Sequence, residues 1–186
     1  MTGRGRRPPP PGIPADKDIE AMIRVDHAGE YGAVRIYEGQ LAVFDALNRT
    51  SKAADAIRGM AQAEERHLKA FDRLVNERKV RPTALEPVWR MAGFALGAAT
   101  ALMGEKAAMA CTAAVEEVID DHYASQLDRL QDDAELKKMV ADFRTDEIAH
   151  RDEALAHGAE EASGYGLLRE AIKSGCRLAI KLSERI

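Results

Sequence analysis

Glu64-Glu65-Arg66-His67 and Glu147-Ile148-Ala149-His150 set a glutamate three residues before a histidine twice in one chain. On an α-helix three residues turn through about 300°, so both side chains leave one face and can grip a single metal ion. Met60, Ala61, Leu68, Phe71 and Val75 share the face of the first pair, and Val140, Phe143 and Ala154 that of the second. A carboxylate in the middle of an apolar stripe is costly to bury unless it is paired or bound to a cation. A single motif of this kind reads more readily as a mixed pair on a solvated helix face. What precedes each motif changes that reading.

Prolines show how much of the chain is free to be helical. Five of the seven lie between Pro8 and Pro14, and the others are Pro82 and Pro87. The Pro-free stretches between and after them are rich in Ala, Glu, Leu and Arg, with no convincing strand pattern, so the class is all-α. Asp16 or Asp18 can cap a first helix to about Leu47, and a second runs from the turn at Asn48 to Ser51 as far as about Lys79. Val80 to Pro87 is a crossover. A long helical region then spans about Val88 to Leu130, with a break expected at Gly104. Asp132 or Asp133 caps a helix to about His157, and a last one covers about Leu167 to Ile186.

On the first helix, Glu30 sits on the same stripe as Ala33, Val34, Tyr37, Leu41 and Phe44. On the long third region, Glu116 shares its face with Met109, Thr112, Ala113, Ile119, Tyr123 and Leu127. Its neighbour Glu117 is a rival, and helix phase favours Glu116. Each half of the chain thus offers a buried Glu and then a Glu-x-x-His on the next helix. One Glu from each of two helices, with Glu-x-x-His from each of two others, is the ligand set of ferritin-like di-iron carboxylate bundles. Four carboxylates against two divalent ions also sum to zero, with both His neutral. Glu30, Glu64, His67, Glu116, Glu147 and His150 are therefore the expected metal ligands. Asp146 is placed to orient His67 from behind, or is simply exposed.

The remaining composition narrows the class. At 186 residues the chain has the size of one domain, read as residues 16–186 behind a disordered, basic, Pro-rich tail at 1–15. A net charge of −4 speaks against a general nucleic-acid grip. Cys111 and Cys176 stand far apart without a C-x-x-C, which fits a reducing compartment.

The sequence resembles the 5-demethoxyubiquinone hydroxylase family of ubiquinone biosynthesis from about Ile19 to Ile186. The resemblance rests on RVDHAGEYGAVRIYEGQ (Arg24 to Gln40), EERHL (Glu64 to Leu68), MACTAAVEEVIDDHY (Met109 to Tyr123), DEIAHRDEAL (Asp146 to Leu155) and SGCRLAIKLSERI (Ser174 to Ile186). It implies a ferritin-like four-helix bundle with a long crossover and an extra C-terminal helix. It implies the same six ligands, holding two iron ions, with O₂ as co-substrate. The activity it implies is O₂-dependent hydroxylation of the demethoxyubiquinone ring, with NADH or a quinone-linked donor as reductant. A ferroxidase or iron-binding protein on the same bundle is the rival reading.

His122 and Tyr123 match a His-Tyr pair of the family. Tyr123 stays on the metal-facing stripe, while His122 turns off it by about 120°, toward proton transfer or substrate at the rim, or toward a flank hydrogen bond. The substrate the family acts on is polyprenylated and must be reached from a membrane. Met91 to Gly104 is apolar but too short to span one; it reads as an interfacial helix or as a core or dimer contact, and the resemblance favours the first. Peripheral attachment follows, on the cytoplasmic face of a bacterial inner membrane or the matrix face of a mitochondrial one. A homodimer and a lipid-binding partner of the pathway are further expectations of the resemblance.

Overall fold

The structure, a computed structural model, describes residues 16–185. The expected tail at 1–15 lies outside the described residues. Six α-helices and one short 3₁₀ turn make up the fold, with no strand among the described residues: α1 (Asp16–Ala46), α2 (Lys52–Arg78), α3 (Glu86–Met103), α4 (Glu105–Leu127), α5 (Ala134–Ala156) and α6 (Tyr165–Ser183), with the 3₁₀ turn at Ala159–Glu161.

Local chemistry sets the boundaries. Ser51 caps α2 by accepting from the Ala54 amide, and Lys79 closes it in the left-handed conformation at φ 55°. Pro87 falls in the first turn of α3, where its missing N–H costs nothing, so the crossover ends slightly earlier than its two prolines imply. Gly104, at φ 121°, divides the long third region into α3 and α4 as the sequence predicts. Of the two candidate caps for α5, Asp133 does the work, accepting from the Leu136 amide.

The helices α1, α2, α4 and α5 form the bundle, in which α1 packs on α2 and α4 on α5. Helix α3 returns across the outside of α1 at very short range. A Cβ on Gly97 would overlap the Ile36 carbonyl, and one on Gly39 would overlap the Phe94 carbonyl, so only glycine permits this backbone-to-backbone crossing. Helix α6 lies mainly along α4. The core is divided along the bundle: Tyr37, Phe44, Ile57, Met60 and Met109 pack at one end, and Ile23, Phe71, Leu130, Leu136 and Val140 at the other. Between them lies a layer of buried carboxylates and imidazoles.

A candidate two-metal centre

Glu30, Glu64, Glu116 and Glu147 are each 0–1% exposed, and His67 and His150 are 1% and 8% exposed. Their ligand atoms gather into two groups, Glu30–Glu64–His67–Glu147 and Glu64–Glu116–Glu147–His150, each with its atoms within 4.8 Å of one another. Glu64 and Glu147 belong to both. The two Glu-x-x-His motifs therefore supply a shared pair of carboxylates and one imidazole to each group, and Glu30 and Glu116 close the outer ends. The arrangement offers two overlapping sets of ligand atoms, each able to hold a metal ion.

His150 Nδ1 approaches Glu64 Oε1 at 3.0 Å and His67 Nδ1 approaches Glu147 Oε1 at 3.2 Å, but well-directed hydrogen bonds do not account for these atoms. Glu30 Oε2, Glu116 Oε2, both oxygens of Glu64 and Glu147, and the Nδ1 atoms of His67 and His150 are buried without a hydrogen-bond partner among the described residues. Buried polar atoms are ordinarily paired. Eight orphans converging on one volume, all of them ligand atoms for divalent transition metals, fit a metal pair. Burial and the neighbouring carboxylates push Glu64 well above the usual carboxylate range, and burial first and Glu147 second do the same to Glu116. Burial drives the His67 imidazole down, but Glu147 and Glu30 against it prevail and hold it at about 10.

The imidazoles are fixed from outside the cluster. His67 Nε2 lies 3.0 Å from Asp146 Oδ2, and the ring stacks on Phe143 at 4.0 Å between centroids. Nδ1 is thereby turned toward the clustered carboxylates, the arrangement that a residue behind a ligand histidine normally produces. Glu117 points away from the cluster, where Arg169 and Lys173 of α6 hold it. Those two cations pull its carboxyl below the usual range against the opposing effect of burial. His27, on the buried stripe one turn before Glu30, is turned aside to Asp72 at 2.9 Å.

The two halves are related by an internal repeat. Glu30, Tyr37 and Gln40 of α1 recur 86 residues later as Glu116, Tyr123 and Gln126 of α4, and Glu64 and His67 of α2 recur 83 residues later as Glu147 and His150 of α5. The tyrosines cross between halves. Tyr37 donates to Glu116 at 2.6 Å, and Tyr123 donates to Glu30. Burial and the surrounding carboxylates raise both phenols well above their ordinary value, so both remain donors. Sequence reading marks Tyr123 as a site residue and Tyr37 only as core. The signal for Tyr37 was available: each tyrosine stands seven residues after a terminal glutamate.

Beside the cluster runs an apolar cavity of about 590 Å³, bounded by α1, α3, α4 and α6. Its walls include Gly29, Gly32 and Ala33 around Glu30, and Val115 next to Glu116. Trp89 and Ser183, joined by a 3.0 Å hydrogen bond, link α3 to α6 at its margin. No described helix is long and apolar enough to cross a membrane.

The chain matches the family profile described as Ubiquinone biosynthesis protein COQ7 over residues 17–183. It is 52% identical over 187 residues to the 3-demethoxyubiquinol 3-hydroxylase of Rhodospirillum rubrum, covering 98% of this chain and 87% of that protein. To the NADPH-dependent 3-demethoxyubiquinone 3-hydroxylase, mitochondrial, of Mus musculus it is 50% identical, over 90% of this chain and 77% of the relative. To the 5-demethoxyubiquinone hydroxylase, mitochondrial, of Saccharomyces cerevisiae it is 38% identical, over 90% of this chain and 78% of that protein. With the matched span running from the start of α1 to the end of α6 and containing all six clustered carboxylates and imidazoles, the chain belongs to the COQ7 family of ubiquinone biosynthesis proteins.

Proposed function

We propose that this protein hydroxylates the ring of a demethoxyubiquinone or demethoxyubiquinol, using O₂ and two iron ions. The observation that carries the reading is the apolar cavity laid against the paired cluster. Gly29 and Val115, the chain neighbours of Glu30 and Glu116, are part of its wall, so a hydrophobic ring lying there is separated from the cluster by the backbone turns that carry those two glutamates. A ferroxidase needs a path for hydrated iron and has no use for a cavity of this kind, so the hydroxylase reading is preferred over iron storage.

In this reading Glu30, Glu64, His67, Glu116, Glu147 and His150 would hold the iron, Glu64 and Glu147 being common to both groups of ligand atoms. Bound there, the pair supplies the two-electron O₂ chemistry that no side chain can perform. The chain does the rest. Asp146 orients His67, Tyr37 and Tyr123 fix the outer carboxylates, and the walls from α1, α3, α4 and α6 exclude water from the reacting ring. The relatives' names point to a reduced nicotinamide as the electron donor, and the same donor class is proposed here.

The substrate is reached from a lipid surface. Val88, Met91, Phe94, Leu102 and Met103 on α3, with Leu167 and Leu178 on α6, are apolar and 43–81% exposed, and α3 and α6 are the helices that bound the cavity on its outer side. A face of this kind suits an interfacial helix that lies on a membrane without crossing it. Attachment is peripheral, to the cytoplasmic face of a bacterial inner membrane or its mitochondrial counterpart.

The test combines metal content with quinone analysis. About two iron per chain is expected, together with demethoxyubiquinone accumulating and ubiquinone lost in cells without the protein, as read by mass spectrometry of lipid extracts. Two iron with an unchanged quinone pool would keep the bundle and remove the hydroxylase reading.

A further inference from the structure

The internal repeat fails at one place, and the failure is chemically specific. Gln40 of α1 donates to the Ala108 carbonyl at 3.1 Å and to Thr112 at 3.4 Å. Its counterpart Gln126 donates to Asp26 at 2.6 Å, and Asp26 stands where the other half has Thr112. Next to it, His122 Nε2 lies 3.0 Å from Asp26 Oδ1, and His122 stands where the other half has Ile36. The neutral half shows that the bundle closes around a hydroxyl and an aliphatic side chain. A carboxylate 2% exposed and an imidazole are therefore an addition, and a buried charge is not retained cheaply.

The pair has two ends. His122 is 17% exposed at its side chain and helps line a second, polar cavity of about 310 Å³, together with Asp18, Ser125, Gln126, Arg129 and Glu184. Asp26 is the inner end. Its Oδ2 is buried without a hydrogen-bond partner among the described residues, and it stands one helical turn before Glu30. Its charge reaches Tyr123, as that of Glu30 reaches it. Burial pushes the Asp26 carboxyl up, against the opposing pull of His122 and Gln126.

We infer that Asp26 and His122 form a proton relay from the polar cavity to the metal centre, with Gln126 holding the carboxylate in place. The inference rests on the hydroxylase reading, because that reaction requires a proton supply. Ring C–H, O₂, two electrons and two protons give ring C–OH and one water. A reduced nicotinamide delivers the two electrons with one proton, so a second proton comes from solvent. In the relay, His122 takes that proton at the cavity and passes it along the Nε2–Oδ1 contact to Asp26. From Asp26 it ends in the water that carries away the second oxygen atom. No residue is oxidised or reduced in the transfer. The charged and titratable groups facing the pair are Glu30 on α1, Tyr123 on α4 and Arg129 just past its end, Asp18 across the cavity and Glu184 past the end of α6.

The experiment compares the iron-loaded wild type with Asp26→Asn and His122→Ala, with iron content and thermal midpoint read in parallel. Both variants are expected to keep their iron and to lose turnover by roughly 100-fold, the usual contribution of a positioned proton-transfer group. They should also release more hydrogen peroxide per nicotinamide oxidised and show a larger solvent deuterium isotope effect. Added imidazole, small enough for the polar cavity, should restore a fraction of His122→Ala turnover and none of that of Asp26→Asn. Wild-type turnover on a demethoxyubiquinol analogue separates the two levels, since its absence removes the hydroxylase reading itself. With the wild type active, variants that keep its turnover, peroxide yield and isotope effect overturn the relay. So does an activity loss that follows lost iron or stability and ignores imidazole.

Discussion

His67 Nε2 lies 3.0 Å from Asp146 Oδ2, whereas the matching place behind His150 in the internal repeat is Ala63. Among the described residues, only one of the two clustered imidazoles is therefore aligned by a carboxylate from outside the cluster. Removing such a partner ordinarily costs about 10–100-fold in metal affinity. Asp146→Ala is expected to weaken one of the two iron sites by that factor and to leave the other nearly intact, so chelator-driven release becomes biphasic. Single-phase release of both ions, unchanged from wild type, would show that Asp146 has no part in holding the metal.

Metal loading should release protons. Burial and mutual repulsion raise Glu64 and Glu116, burial above all raises Glu147, and the carboxylates around His67 hold it at about 10. The metal-free cluster therefore carries protons at neutral pH, and iron or a redox-inert substitute has to displace them. Apparent affinity then weakens as pH falls, because protons compete increasingly well for the same oxygens and nitrogens. Calorimetric titration in buffers of different ionisation enthalpy measures the protons released per metal, and a value of zero would contradict this picture of the site.

The crossing of α1 and α3 makes a steric prediction. Gly97→Ala and Gly39→Ala each drive a methyl group into a backbone carbonyl, which cannot swing away as a side-chain tip can. Overpacking of this kind typically costs about 1–3 kcal/mol. Gly59→Ala is the control. It lies on an exposed part of α2 with nothing within 4 Å of the added carbon. There alanine is expected to stabilise by about 0.5–1 kcal/mol. Chemical denaturation of the three variants gives the comparison.

The positions that cluster were legible in the sequence because helical phase is arithmetic. Glu30, Glu64, His67, Glu116, Glu147 and His150 follow from where an acidic or imidazole side chain interrupts an apolar stripe, and the fold follows from the same phase. Glu116 rather than Glu117 followed from phase alone; the finding that Arg169 and Lys173 hold Glu117 required α6 to be placed on α4. Residues that act across helices were less legible. Tyr37 looks like any buried aromatic until its hydroxyl is seen on Glu116. The bond between His122 and Asp26 joins positions 96 residues apart, which no local period reveals. The glycines on α1 and α3 also gave no sign that they face each other.

Asp133 ties two helices together, and acid should expose its contribution. It caps α5 and receives Arg78 of α2, and that guanidinium, against a smaller effect of burial, lowers its carboxyl below the ordinary value of 3.8. A carboxyl lowered in the folded state stabilises fully above its unfolded value and loses that contribution as pH falls through the folded one. Asp133→Ala should cost about 1–2 kcal/mol at neutral pH, chiefly as a lost cap. The difference from wild type should shrink below the ordinary aspartate range. A difference that stayed constant to low pH would assign the loss to packing.

The exposed apolar stripe on α3 has to be covered by something, and the cavity indicates what. Met91 is 76% exposed and Leu102 65%, on the helix whose other side walls the apolar cavity with Trp89, Ala92, Gly93 and Leu96. A hydrophobic substrate dissolved in a bilayer can enter the cavity without crossing water if this face lies on the lipid. Met91→Glu and Leu102→Glu add charge to the outer side alone and leave the inner wall untouched. Their binding to phospholipid vesicles should fall sharply in co-sedimentation. Turnover of a polyprenylated substrate in vesicles should fall with it, while turnover of a short-tailed, water-soluble analogue stays near wild type. That split separates access from chemistry. Variants that turn a dimer into a monomer with vesicle binding intact would instead assign the stripe to a second copy of the chain.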